Sequence, residues 1–570
     1  MQNKGKYIIV ILVVIICVLG FLIFKDDKLE QNWSTDTTNS IDININTDDG
    51  DKDIDWSKYS NKDYQLNRSL VIKENGTYNL TGTIDDGLII VETNGNVKLN
   101  LNNVSITNSN GPAIYIKSAE NVVINLVEGS KNVLTDGNSY DNYEEDVKAT
   151  LYSSDDLIIE GTGKLVINGF YQDGIVSKDD LKIINGIYEI NAKDDGIRGK
   201  DSLYIIDGSF TIESGADAIK STNDTDIEKG FILIENGIYN LTSEEDGIQA
   251  ETKILIKNGK FNIKTGGGSN NSSDNFYWGN WGSSSNEQSA KGIKSGDNLV
   301  INNGTFTFDT SDDAIHSNNY AGIKDGNFFI SSGDDGIHAD TEIIIDNGEI
   351  DISKSYEGIE SAKITINDSN IRLVSSDDGI NIAGGNDSSS MNRPGANHYT
   401  NNKDNILTIN DGKIYINSKG DGIDVNGSAY INDGNIIVDG PTDNGNGILD
   451  YDNYFIINGG ELIAAGSSGM FQKLSESSKI YSINIYFTSK IASGSKITIT
   501  NSNKKEVISY TTTKTVDAIL VASEKLENNT RYTIKIDNNE YYTFTISNLI
   551  TTIGNNKNQE IPGNRPPGRR

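Results

Sequence analysis

The chain has 570 residues, 81 acidic and 49 basic, and a formal net charge of −32. That sign and size exclude nucleic acid as a natural partner and favour divalent cations. A single cysteine, Cys17, excludes an internal disulfide framework.

The chain opens on Lys4 and Lys6, continues with an apolar run over residues 7–24, and then turns charged at Lys25, Asp26 and Asp27. Such a run is about 27 Å long as a helix, close to one hydrocarbon core. Positive charge ahead of it predicts an N-terminus inside the cell and everything after it outside. No small-x-small cleavage site follows, which favours a retained signal-anchor, and Ile15 and Ile16 before Cys17 are a poor lipoprotein box. Residues 1–30 therefore read as a membrane anchor or signal, giving a single-pass protein of the cell membrane with an extracellular C-terminal part. The alternative is secretion, if the segment is cleaved. The polar stretch 31–69 reads as a linker.

From about residue 70 an Asp-Gly-Ile motif recurs. Aligned on its middle position, it stands at Gly174, Gly196 and Ala218 and again at Gly292, Ala314, Gly336 and Gly358, 22 residues apart within each run, with Gly379 following. A second turn signal, Asn-Gly or Asp-Gly, recurs in phase at 185–186, 236–237, 258–259, 303–304, 325–326 and 347–348. Short alternating apolar segments between fixed turns are strands, and a fixed period of this size is a solenoid whose coils bury their apolar faces on one another. The expected fold is all-β, a right-handed parallel β-helix of three strands and about 22 residues per coil, spanning 70–475. Longer steps leave insertions at 266–289 and 384–402. Residues 476–550 lose the repeat and read as an antiparallel β cap over the open coil end. Residues 551–570 read as a disordered Pro-rich tail.

Stacking the coils turns the residue before the glycine into a column: Asp173, Asp195, Asp217, Asp246, Lys291, Asp313, Asp335, Glu357, Asp378 and Asp421. Two carboxylates one coil apart repel by about 3 kcal/mol at an effective dielectric near 20. Asp is a good turn residue, but Asn would serve the turn without the repulsion and is nearly absent here. Calcium, which takes six to eight oxygen ligands, is the expected counter-ion. Its expected ligands are Asp194, Asp195, Asp217, Asp246, Asp312, Asp313, Asp334, Asp335, Asp340, Asp377 and Asp378.

One position past the repeat isoleucine runs a second column, expected to face outward: Arg198, Lys220, Gln249, Lys294, His316, His338, Glu360, Asn381 and Asp424. Its Arg198, Lys220, Lys294, His316 and His338, with Tyr277, Trp278 and Trp281 of the first insertion, are the expected carbohydrate contacts. The aromatics would offer a platform for the apolar face of a sugar ring. A zinc pair of His316 and His338 is the less favoured reading, since the remaining histidine, His398, lies in a loop. Lys291, the one cation in the acidic column, is either charge neutralisation or the base of a calcium-dependent lyase. Acidic neighbours raise a lysine pKa and weaken the second role.

The segments Asp194-Asp195-Gly196-Ile197, Ala218-Ile219-Lys220-Ser221, Asp334-Asp335-Gly336-Ile337-His338-Ala339-Asp340 and Ser467-Ser468-Gly469-Met470 resemble a family of bacterial surface carbohydrate-binding proteins. That family has a parallel β-helix similar to that of polysaccharide lyases. The resemblance covers roughly residues 70 to 475. It implies binding of plant-type polysaccharide, acidic ones included, with calcium on the repeat aspartates and no established catalysis. Lys291, Tyr356 and Glu357 depart from its Asp pair. The expected function is a membrane-anchored, extracellular, monomeric polysaccharide binder. A pectate-type lyase and a structural adhesion stalk are the alternatives.

Overall fold

A computed structural model describes residues 54–141, 143–271, 289–383 and 404–555. Among these the backbone is all β, with one 3-10 turn, Trp56–Lys58, and no α-helix. A 32-stranded sheet and a 15-stranded sheet, both built largely of parallel pairs, hold most strands, and a four-stranded antiparallel sheet lies near the C-terminus. These long parallel sheets are consistent with a β-helix.

One repeat shows why the chain folds this way. Strand Asp180–Ile183 is followed by Asn185-Gly186, strand Ile187–Ala192, the Asp194-Asp195-Gly196 corner and strand Ile197–Gly199. Along Ile187–Ala192 exposure alternates, sending Tyr188, Ile190 and Ala192 inward. Gly186 turns the chain at φ 136°, and a Cβ there would stand 2.8 Å from the Tyr188 ring. Only glycine accommodates both demands. Ile187–Ala192 pairs in parallel with Lys164–Gly169 on one side and Ser209–Ser214 on the other, so each strand bonds to the coils before and after it.

The repeat isoleucines fall into one register, Ile175, Ile197, Ile219, Ile248, Ile293 and Ile315, all fully buried. Both insertions leave that register intact. Ile248 pairs directly with Ile293, and Ile380 with Ile423. Tyr277, Trp278 and Trp281 lie outside the described residues, as do residues 384–403, the tail from 556 and the apolar run over residues 7–24. Among the described residues no helix is long and apolar enough to cross a membrane.

At the N-terminal end, strand Asn61–Leu66, within the stretch read as linker, pairs in parallel with Gly76–Ile84. At the other end, Glu461–Gly466 pairs antiparallel with Val516–Ser523, which pairs antiparallel with Ser482–Ile491. A second apolar cluster around Ile485, Ile499, Ile519 and Ile534 fills this region. Asp439 ties it to the coils by accepting hydrogen bonds from Tyr415 (2.6 Å), Thr513 (2.5 Å) and Tyr510. Beside it the Lys514 ammonium donates to the carbonyls of Ser418, Asp439 and Gly440, and burial pushes its pKa down to about 8.

Candidate functional site

The acidic column lies along the corner where each coil enters the 15-stranded sheet, and its carboxylates divide their labour. One oxygen caps the next coil. Asp173 Oδ1 accepts from the Asp195 backbone N–H at 3.2 Å, Asp195 from Asp217 at 3.2 Å, Asp217 from Asp246 at 2.7 Å and Asp313 from Asp335 at 2.9 Å. These bonds satisfy buried backbone donors that no strand partner reaches, which gives the repeated aspartate a structural reason.

The other oxygen meets a cation through the lower part of the stack. Asp173 Oδ2 lies 2.5 Å from Arg198, Asp217 Oδ2 2.5 Å from Lys220, and Asp246 Oδ2 3.5 Å from Lys294. Lys291 Nζ lies 2.8 Å from Asp312 and 2.6 Å from Asp313. Burial alone would raise Asp313, but the Lys291 ammonium and the His316 hydrogen bond hold it well below the usual carboxylate range. Burial likewise opposes charge on Lys291, yet Asp313 and Asp312 lift its pKa well above that of a free lysine. The amine is held as an ammonium, the wrong state for a base.

The second column is thus the counter-charge of the first. Arg198, Lys220 and Lys294 keep part of their side chains exposed, but their charges are directed at the aspartates. His316 and His338, expected to face outward, are only 5% and 3% exposed. Carboxylates draw them in. His316 Nδ1 lies 2.8 Å from Asp313 Oδ2, and His338 is bracketed by Asp335 at 3.2 Å, Asp340 at 3.3 Å and Glu360 at 3.3 Å. Burial pushes His338 down, but those three hydrogen bonds more than offset it and raise its pKa well above 6.5. The two rings stack at 4.9 Å and 12°. Imidazole lone pairs lie in the ring planes, so rings stacked this way do not converge on a zinc ion at the bond lengths zinc requires.

Above His338 the counter-charge stops. Register carries the second column through His338, Glu360, Asn381, Asp424 and Asp450, replacing cations by acids and an amide. Asp378, Asp421 and Asp424 bring carboxylate oxygens within 4.8 Å of one another. No lysine, arginine or histidine among the described residues pairs with them. Burial and neighbouring carboxylates push Asp421 up to about 7, Asp424 up to about 8, and Asp378 and Glu357 well above their usual range. Asn381, 7% exposed, donates from Nδ2 to Glu357 at 2.7 Å, while its buried Oδ1 has no partner. The three clustered carboxylates form an all-oxygen donor set, which fits a hard divalent cation.

Of the expected ligands, Asp194, Asp195, Asp217, Asp246, Asp312, Asp313, Asp334, Asp335 and Asp340 stand in the compensated coils, and Asp377 and Asp378 in the uncompensated ones. The residues that complete the upper cluster, Asp421 and Asp424, were in the columns but not among the expected ligands. The signal for them was the change of sign in the second column after His338. A further acidic group, Asp156, Asp179 and Asp180, lies at the next corner, where burial pushes Asp179 up to about 7.

Residues 67–336 match the model of the family described as "Carbohydrate-binding domain-containing protein". A protein of that description from Acetivibrio thermocellus is 40% identical over 130 residues, 22% of this chain and 46% of its own length. The chain thus spans about half the length of that curated relative. A solved structure of the polysaccharide lyase-like protein from C. thermocellum, a gadolinium derivative, shares 36% identity over 35% of this chain and 83% of its own, with a TM-score of 0.34. Over residues 67–336 the chain is thus similar to the carbohydrate-binding domain-containing family.

Proposed function

We propose that this protein binds polysaccharide outside the cell, with its N-terminal apolar run as a membrane anchor and calcium held in the upper acidic coils. The frame is a right-handed parallel β-helix of three strands per coil, closed by an antiparallel cap. Carbohydrate binding is supported by the family match over 67–336. The metal is supported by the carboxylates of Asp378, Asp421 and Asp424, which lie within 4.8 Å of one another and pair with no cation among the described residues. Calcium there would neutralise the column and offer free positions to sugar carboxylates and hydroxyls. Acidic plant-type glycans then become ligands of a chain whose own charge would otherwise repel them. The lyase alternative loses its candidate base, because the Lys291 ammonium is held by Asp312 and Asp313.

The test is affinity for polygalacturonate with calcium and with EGTA, in wild type and in Asp421→Asn plus Asp424→Asn. Binding that needs calcium and is lost in the double variant supports the reading. Equal binding in EGTA removes calcium from it, and retention on no glycan leaves the adhesion stalk. Growth of ultraviolet-absorbing unsaturated product would establish the lyase instead.

A further inference from the structure

The acidic column is one corner of the coils, and the Asn-Gly corner is another. There the surface carries two troughs of about 490 and 640 Å³. The smaller is lined by the corners at 185–187, 207–209, 236–238 and 258–260. The larger is lined by those at 303, 325–327, 347–349, 368–370, 411–413 and 433–435. Lys260 pairs with Thr305, so the two troughs follow one another on a single edge. Ten coils stacked at strand spacing make that edge about 43 Å long.

The trough owes its floor to glycine. Gly259 has φ 142° and Gly304 φ 141°, and a Cβ on either would stand 2.7 Å from the ring of Phe261 or Phe306 beneath. No side chain can fill the channel there. At six corners, 185, 207, 303, 325, 411 and 433, the Asn or Asp Oδ1 accepts from the following glycine N–H, as at Asn303 and Gly304 (2.7 Å) and Asp325 and Gly326 (2.8 Å). That bond fixes the side chain and leaves its second polar atom for another partner. Behind the corner, Asn367, Asn410, Asn432 and Asn458 form a ladder of amide hydrogen bonds at 2.7–2.8 Å that stiffens the edge. In one coil serine replaces the glycine. Ser369 is 3% exposed, lines the larger trough, and its hydroxyl has no hydrogen-bond partner. A buried, idle hydroxyl costs free energy and points to a ligand that satisfies it.

We infer that this trough is the seat of a neutral, unbranched glycan chain lying along the stack. The inference rests on the carbohydrate-binding reading and adds a seat for sugar apart from the acidic column and its calcium. The larger trough carries Asp325, Glu349, Asp368, Asp411 and Asp433 against Lys413, a field that repels a polyuronate and suits hydroxyl donors. Each coil advances the lining by about 4.8 Å, roughly one sugar residue of an extended chain, so one set of amide and carboxylate groups meets each sugar. In the smaller trough, Ile187 and Ile238, 45% and 50% exposed, offer apolar contact to sugar ring faces.

Calorimetry in EDTA with neutral β-1,4-linked hexasaccharides of glucose, mannose and xylose tests this, with hexagalacturonate as the charged control. At least one neutral hexasaccharide should bind without calcium. Glu349→Ala plus Asn370→Ala, both on the exposed wall, should weaken it at least tenfold with an unchanged melting temperature. Ser369→Ala should weaken it severalfold without loss of stability, and Glu540→Ala, exposed on strand Asn539–Thr545 of the C-terminal four-stranded sheet, should leave it unaltered. Wall variants that bind as wild type does, or neutral binding that occurs with calcium and is lost in EDTA, would overturn the inference. Calcium-dependent binding of polygalacturonate with no neutral ligand overturns the trough alone. Binding of nothing overturns the carbohydrate reading with it.

Discussion

Each column aspartate uses one oxygen for the backbone of the next coil and presents the other to whatever neutralises it. An Asn replacement keeps the first bond and removes the charge, so it separates the two roles. At Asp313, fully buried against Lys291 and His316, Asp313→Asn leaves the buried ammonium to Asp312 alone and should cost up to about 3–5 kcal/mol. At Asp421, where no described cation faces the carboxylate, Asp421→Asn removes repulsion. It should leave the metal-free protein as stable as wild type or more so, and abolish any stabilisation by calcium. Chemical denaturation with and without EGTA reads both. Loss of stability at both positions would mean that the upper coils are compensated after all.

Under the glycine corner six rings form a buried ladder from Tyr188 through Phe210, Tyr239, Phe261 and Phe306 to Phe328. Centroids lie 4.5–4.9 Å apart and planes within 5°. Parallel in-register strands place like residues above one another, so ring spacing is set by strand spacing rather than by ring preference. Each ring fits because the residue two before it is glycine. Gly259→Ala should therefore destabilise by about 1–3 kcal/mol through its positive φ, and more if the Phe261 ring cannot yield. Phe261→Ala should cost about 3–5 kcal/mol by opening a cavity in the stack. Denaturant midpoints at constant m-value measure both. The corner itself was legible from Asn-Gly pairs in phase with the period. The ladder was not, because the alternation marks positions as inward without saying which residues in neighbouring coils meet.

Across the whole stack burial lifts column carboxylates at both ends, Asp173 and Asp217 to about 7 even beside Arg198 and Lys220, so stability should respond to pH along its length. Asp421 and Asp424 have folded pKa values of about 7 and about 8 against an ordinary 3.8. Between pH 4 and 8 the folded protein keeps protons there that the unfolded chain has released, so metal-free stability should fall as pH rises. The raised pKa of His338 acts in the same direction, since its contribution is complete below about 6.5 and lost above that value. Calcium at pH 8 should restore what deprotonation removes. Melting temperatures from pH 5 to 8 in EGTA and in calcium check this, and a curve that rises with pH in EGTA would contradict it. The 22-residue period by itself determined the coil register, because an intact repeat tolerates insertions only at its corners. It also determined which residues share a column. Only the tertiary structure decided what each column does. A sequence gives the sign of a side chain but not the direction of its oxygen or its burial, and these made His316 and His338 buried hydrogen-bond partners of the acidic column, made Lys291 an ion-pair partner, and left Asp378, Asp421 and Asp424 without a cation among the described residues.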